Sequence, residues 1–429
     1  MSNIIVNGGN PLSGSVTPSG NKNSVLPILC ASLLTDETIT LHNVPDLTDV
    51  NKLVEQLQSI GSDIQWDKDS TTMVINNSKL NRDLFTEDFP IGMRGSILLF
   101  PPLLFRMKKL RMKNEIGGCA LGIREIDPHL DALEALGTKV VRGDIIELSV
   151  DGRFTGGELW PDYMSVTTTE NFINGAVLAK GKSKITNAAC EPHVQELCRF
   201  LVQMGAKIEG IGTSTLVIEG VETLSGTEYT IWSDHHEITT FLALGAMTGG
   251  EIEVQNALPE HFPLIVRAFK KLGVYVEYDG NTAIVRKSQR LVIEKPFTQN
   301  MLQKIEAAPW PYFPVDLHPL MIALAVKAKG EIMFWNKVYE GGLFWIPELV
   351  KFGVKATLCD PHRVIIYGGH ELSAATVDAP NIIRAAISLT MVALSIEGES
   401  TIRGADSIKR AHPHFAEKLK GLGADIEWV

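Results

Sequence analysis

One phrase of apolar and polar positions returns six times along the chain. An apolar helical tail runs into a glycine, and two strands follow. The copies are LQSIGSDIQW from Leu57, LEALGTKVV from Leu133, LVQMGAKIEG from Leu201, FKKLGVYVEY from Phe269, LVKFGVKATL from Leu349 and LKGLGADIEWV from Leu419. Their glycines, Gly61, Gly137, Gly205, Gly273, Gly353 and Gly423, recur at roughly 70-residue intervals, longer than the usual solenoid periods. A glycine can take the left-handed backbone conformation that ends a helix, so each is expected to turn the chain from helix into strand. Six evenly spaced copies indicate internal duplication.

Each copy has an upstream half. An apolar helix ends in a small-residue turn, and a strand follows, as in NFINGAVLAKGKSKITNAACEP from Asn171 and FLALGAMTGGEIEVQNALPEH from Phe241. These helices are apolar nearly all round, which predicts burial on every side. The strands alternate and are expected to face solvent on one side. The pattern therefore predicts an α/β protein with helices inside and sheets outside. Six units divide most naturally into two similar domains of three, with a cleft between them. A composition shift at GTEYTIWSDHHE, Gly226 to Glu237, marks the crossing. Neither a dinucleotide fingerprint nor a phosphate-binding loop is present in the sequence.

Composition narrows the function classes. The 429 residues are 45% hydrophobic and 21% charged, enough to bury two or three cores. A net charge of −10 argues against general nucleic-acid binding, which needs a basic face. The longest apolar run, Ile97 to Phe105, is too short to span a bilayer and contains Pro101-Pro102. Five scattered cysteines lack zinc-like spacing, and Met1-Ser2-Asn3 leads straight into the alternating IIVNG. The expected setting is a reducing cytoplasm, with no membrane or nucleic acid involved.

Against this acidic background the stretch from Arg106 to His129 stands out. Arg106, Lys108, Lys109, Arg111 and Lys113 precede Gly117-Gly118, and Cys119, Gly122 and Arg124 follow. Paired glycines suit a loop, and a thiol among cations ionises more easily. Elsewhere, Lys22 and Asn23 stand at the entrance to an apolar helix. A cation there is electrostatically misplaced unless it is solvated or shares an anionic ligand with the helix end. Arg94 is placed similarly, Asp316 directly precedes another apolar helix as a candidate cap, and Arg384 and Arg410 lie near others.

The motifs SGNKN at Ser19, GGCALGIREIDPH at Gly117 and FPVD at Phe313, within a pattern that runs from GGNPLSG to LGADIEWV, resemble the enolpyruvyl transferase family. The cysteine loop is similar to that of its UDP-sugar branch and is lacking in its shikimate branch. The resemblance implies two inside-out α/β domains, 22–232 and 1–21 plus 233–429, with the active site in the cleft between them and the N-terminal strand joined to the second. It also implies transfer of the enolpyruvyl group of phosphoenolpyruvate to the 3-hydroxyl of UDP-N-acetylglucosamine, with phosphate released and no metal or cofactor needed, as the first committed step of peptidoglycan synthesis. On that basis Cys119 is the acid that protonates C3, and Asp316 accepts the hydroxyl proton. Lys22, Arg124 and Arg410 surround phosphate, and Arg384 holds the carboxylate. Asn23, Arg94, Asp127, His129, Ser165, Val166 and Val338 match positions that hold the UDP-sugar.

The chain departs from the family pattern at four places. Gly342 replaces an arginine, with Lys337 the candidate to compensate, and Asn381-Ile382-Ile383-Arg384 carries an extra residue. Thr167 replaces a glycine, and Asp234-His235-His236-Glu237 replaces Asp-Arg-x-Glu. A sibling transferase acting on another nucleotide or sugar, or a non-catalytic paralogue, is therefore kept beside the main reading. Fosfomycin, an epoxide phosphonate, alkylates the matching cysteine in the family. Intact-mass and peptide mapping are expected to find its adduct on Cys119, formed faster with UDP-sugar present, while Cys119→Asp resists it. Adduct confined to Cys30, Cys190, Cys198 or Cys359 would overturn the assignment.

Overall fold

In the computed structural model, which describes residues 2–81, 94–113, 125–298 and 300–429, two kinds of helix alternate along the chain. Among the described residues there are two compact units, one drawn from Gly20–Gly118 and Ile123–Trp232, the other from Met1–Ser19 and Ser233–Val429. The first holds α1 (Lys22–Ala31), α2 (Thr48–Ser59), α3 (Phe100–Met107), α4 (Asp127–Ala135), α5 (Val166–Ala176) and α6 (Pro192–Gln203). The second holds α7 (His235–Thr248), α8 (Pro263–Lys271), α9 (His318–Lys327), α10 (Ile346–Val350), α11 (Ile383–Leu394) and α12 (Phe415–Gly421).

The odd-numbered helices are the apolar ones. In α5 every residue from Thr168 to Ala176 is buried, in α7 His235 to Met247, in α9 His318 to Val326 and in α11 Arg384 to Leu394. The even-numbered helices bury one stripe each. Val50, Leu53, Val54 and Leu57 in α2, and Ile265, Ala268 and Phe269 in α8, follow the spacing of a single helix face. One core gathers Ile28, Leu41, Leu53, Phe100, Phe172 and Leu197; the other gathers Phe241, Leu320, Phe334, Leu389 and Ile426.

Among the described residues, sheets cover these cores, three to each unit. Five have four strands, and each combines one parallel pair with two antiparallel pairs. Thr227–Thr230, for example, runs parallel to Ile39–His42, which pairs antiparallel with Thr72–Asn76 and so leads to Asp63–Asp67. The strands alternate buried and open positions, as in Lys182–Thr186, where Ser183 and Ile185 point inward. This is the inside-out arrangement that the periodicity predicts. The sheet of the last repeat is completed from the other end of the sequence. Ile4–Gly8 lies between Gly398–Arg403 and Asp425–Trp428, with Ile4 opposite both Ile402 and Trp428.

All six repeat glycines have positive φ: +98° at Gly61, +82° at Gly137, +106° at Gly205, +79° at Gly273, +89° at Gly353 and +97° at Gly423. An L-residue in this region is strained by roughly 1–2 kcal/mol. At Gly205 an added Cβ meets nothing within 4 Å, whereas at Gly273 it collides with the Arg290 carbonyl oxygen. Gly205→Ala is therefore expected to lower unfolding free energy by about 1 kcal/mol, the strain alone. Gly273→Ala should cost clearly more. Urea denaturation of the two variants measures the difference, and equal losses would show that crowding adds nothing.

Candidate active site

Chemistry-bearing residues collect at the N-terminal ends of the buried helices, where backbone N–H groups lack partners within the helix. In the unit holding α1, Asn21 caps that helix, its side-chain oxygen accepting from Asn23 N at 2.8 Å. Asn21 is itself held, because its N–H donates to the Trp232 carbonyl (2.8 Å) and Trp232 N–H donates to buried Glu196 (2.6 Å). Lys22 follows the cap. Its Nζ lies 3.1 Å from Asp49 Oδ2, and both side chains are largely buried. Lys22 is thus neither a solvated surface lysine nor a cation waiting for an external anion alone, since Asp49 already neutralises part of its charge.

Ser165 caps α5, accepting from Thr168 N at 3.3 Å. Buried His129, in the first turn of α4, is fixed by its neighbours. The Asn171 amide donates to the Ile97 carbonyl (3.1 Å) and to His129 Nδ1 (3.1 Å), which makes Nδ1 the acceptor. In the neutral ring Nε2 therefore carries the proton, and it lies 3.4 Å from Thr167 Oγ1. Asp127 is exposed and sits beside Arg142, which also reaches Asp131 and Glu134. Val166 opens α5.

In the other unit Asp234 caps α7, accepting from His236 N at 2.9 Å. The same carboxylate accepts from His236 Nδ1 at 2.6 Å and faces Arg384 Nη2 at 3.5 Å. Burial works against ionisation of Asp234, but the neighbouring His236 and Arg384 hold its carboxyl well below the usual range. Beyond the imidazole, His236 Nε2 lies 3.8 Å from Asp316 Oδ2. Glu237 accepts from Ser19 N (2.7 Å) and Lys418 Nζ (2.6 Å); burial raises its carboxyl, and Lys418 opposes the rise. Among the described residues, buried Arg384 Nη1 and both nitrogens of buried His412 have no hydrogen-bond partner. A guanidinium N–H left dry in this way is suited to an anionic oxygen.

Two expectations need correction. Asp316 is not a helix cap: it lies inside the 3-10 turn Val315–Leu317, and α9 begins at His318 with Leu317 in the cap position and no side-chain cap bond. Lys337 is not a spare cation, because its ammonium is ion-paired with Glu306, which also holds Lys304. At Gly342 a Cβ would collide with Asn336 Nδ2, whose amide oxygen accepts from Val338 N (3.0 Å) and Tyr339 N (2.9 Å). The turn carrying Val338 is built round Asn336, and that leaves no space for a side chain at 342. Arg410 ends the 3-10 turn Ala405–Arg410. Cys119 and Arg124 lie outside the described residues, and of Arg94 the structure describes only the backbone, at the start of a 3-10 turn.

Asn21, Asp49, Glu196, His236 and Lys418 were not among the expected site residues. The Asp-His-His-Glu run was the one sequence signal that pointed to any of them. Among the described residues, Asp234, His235 and His236 form the one group with ligand atoms close enough to hold a metal. The positive end of α7 and Arg384 both disfavour a cation there.

Over residues 6–419 the chain matches the family model described as EPSP synthase (3-phosphoshikimate 1-carboxyvinyltransferase), and it belongs to that family of enolpyruvyl transferases. Among its relatives, a UDP-N-acetylglucosamine 1-carboxyvinyltransferase of Borreliella burgdorferi is 39% identical over 429 residues, covering 100% of this chain and 99% of its own. The protein of that name from Bradyrhizobium diazoefficiens is 41% identical over 425 residues, covering 99% and 97%. The crystal structure of the enolpyruvyl transferase NikO from Streptomyces tendae superposes with a TM-score of 0.84 at 22% identity, covering 100% and 99%, and shares the fold.

Glu196, which positions the Trp232–Asn21 link, gives a pH test. Burial pushes its carboxyl up to about 8 from 4.5. The folded protein therefore keeps a proton that the unfolded chain loses, and stability falls as pH rises from about 4.5 towards about 8. Glu196→Gln is expected to flatten that decline in thermal unfolding scans across the window. An unchanged slope would show that Glu196 does not drive it.

Proposed function

We propose that this protein transfers the enolpyruvyl group of phosphoenolpyruvate to the 3-hydroxyl of UDP-N-acetylglucosamine, releasing phosphate, as the first committed step of cytoplasmic peptidoglycan synthesis. The observation that carries the reading is chain-long identity of 39% and 41% with relatives named for this activity. The unpartnered Arg384 Nη1 supports it, as a donor for the phosphoenolpyruvate carboxylate. Lys22, Arg124 and Arg410 take the phosphate side, where fixed cations stabilise charge moving onto the leaving group. Asp316 removes the hydroxyl proton as oxygen attacks C2, and Cys119 delivers a proton to C3. Asn23, Arg94, Asp127, His129, Ser165, Val166 and Val338 hold the nucleotide sugar.

A sibling activity on another nucleotide or sugar is the second reading. It is favoured by the Thr167 hydroxyl at 3.4 Å from His129 and by the turn packed round Asn336. Phosphate release from phosphoenolpyruvate, measured over a panel of acceptors, separates the two. UDP-N-acetylglucosamine is expected to give the highest kcat/KM. Asp316→Asn should keep the fold, since no helix depends on that side chain as a cap, while turnover falls by about 10²–10⁴. A variant with near-normal phosphate release would remove Asp316 from its role.

A further inference from the structure

The Asp-His-His-Glu run places an imidazole between two carboxylates. His236 is buried in the first turn of α7, and its Nδ1 lies 2.6 Å from Asp234 Oδ1. The charged Asp234 can only accept, so Nδ1 is the donor and carries a proton. The ring is held from a second side by His235, whose centroid is 4.0 Å away at 32°. Its remaining nitrogen, Nε2, faces Asp316 Oδ2 at 3.8 Å, one small side-chain movement from a hydrogen bond. A histidine serving only as helix packing has no need of a carboxylate on each nitrogen.

We propose that His236 is a positioning residue that takes over, through Asp316, the proton removed from the acceptor hydroxyl; this rests on the reading of Asp316 as the base. As the acceptor oxygen bonds to C2, its O–H bond breaks and the proton passes to the Asp316 carboxylate. The proton then moves to the lone pair on His236 Nε2, which regenerates the Asp316 carboxylate and leaves an imidazolium on Asp234. The proton returns to solvent through Asp316 when products leave. No oxidant, metal or further reactant is needed. The groups facing this chain are Asp234, Asp316 and His235 directly, with Arg384 on the far side of Asp234 and His412 among the neighbouring titratable groups. Arg384 keeps Asp234 ionised, so the charge that stabilises the imidazolium is fixed before the proton arrives.

Two variants test the inference. His236→Asn keeps a donor where Nδ1 stands and loses the group at Nε2. His236→Gln places an amide near Nε2 that cannot take a proton. Both are expected to lower kcat about tenfold to a hundredfold, with KM for both substrates within about twofold. Thermal unfolding identifies a variant that has lost its fold, and the other then carries the test. Wild-type kcat in both variants, or a fall in kcat matched by a comparable rise in KM, overturns the proposal. Asp316→Asn is measured beside them. If it is inactive while the His236 variants behave as wild type, only the inference fails; if it releases phosphate normally, the base reading fails and the inference with it.

Discussion

A helix buried on every side has no polar face, so its chemistry can be displayed only at its ends. That constraint organises this molecule. The N-terminal N–H groups of such a helix need partners, and the residues that supply them are drawn to the same small region as any catalytic group. Asn21, Ser165 and Asp234 meet this need for α1, α5 and α7. Lys22, Thr167 and His236 stand one or two residues further on, so their places are fixed by the capping geometry rather than by mobile loops. α9 and α11 start without side-chain caps, and Asp316 and Arg384 belong to those two starts.

The polar groups inside the second unit form one continuous set. Glu237, Lys418 and Ser19 tie the first turn of α7 to residues far away in sequence, and Asp234 joins His236 to Arg384. Each buried charge has an opposite charge near it, which a low-dielectric interior requires. Within this set Arg384 Nη1 and the His412 nitrogens lack hydrogen-bond partners.

Much of this was legible in the sequence because its signals are periodic or backbone-driven. The six glycines carry a steric requirement that no other residue meets as cheaply, so their φ values follow directly from their spacing. The apolar helices were equally readable, since nothing in α7 or α11 offers a face to water. Partnerships between distant side chains were not readable. Asp49 reads as an ordinary first-turn acid of α2 until the fold brings it to Lys22, and Glu306 gives no hint that it holds Lys337. Asp316 misled for a local reason. An aspartate just before an apolar helix is the usual cap pattern, but a 3-10 turn intervenes and puts Leu317 in the cap position, with α9 starting at His318.

The strand Ile4–Gly8 has a consequence for how the protein is made. It is the central partner of Gly398–Arg403 and Asp425–Trp428, and its Asn7 amide reaches Asp425 across 418 residues of sequence. A ribosome adding about 5–20 residues per second separates the two ends by about 20–80 s. The unit running from Gly20 to Trp232 holds all of its own sheet partners and can close while synthesis continues. The other unit must wait, with its first strand already exposed as an unpaired edge, until the last strand leaves the ribosome. That interval is the one in which a chaperone has most to protect.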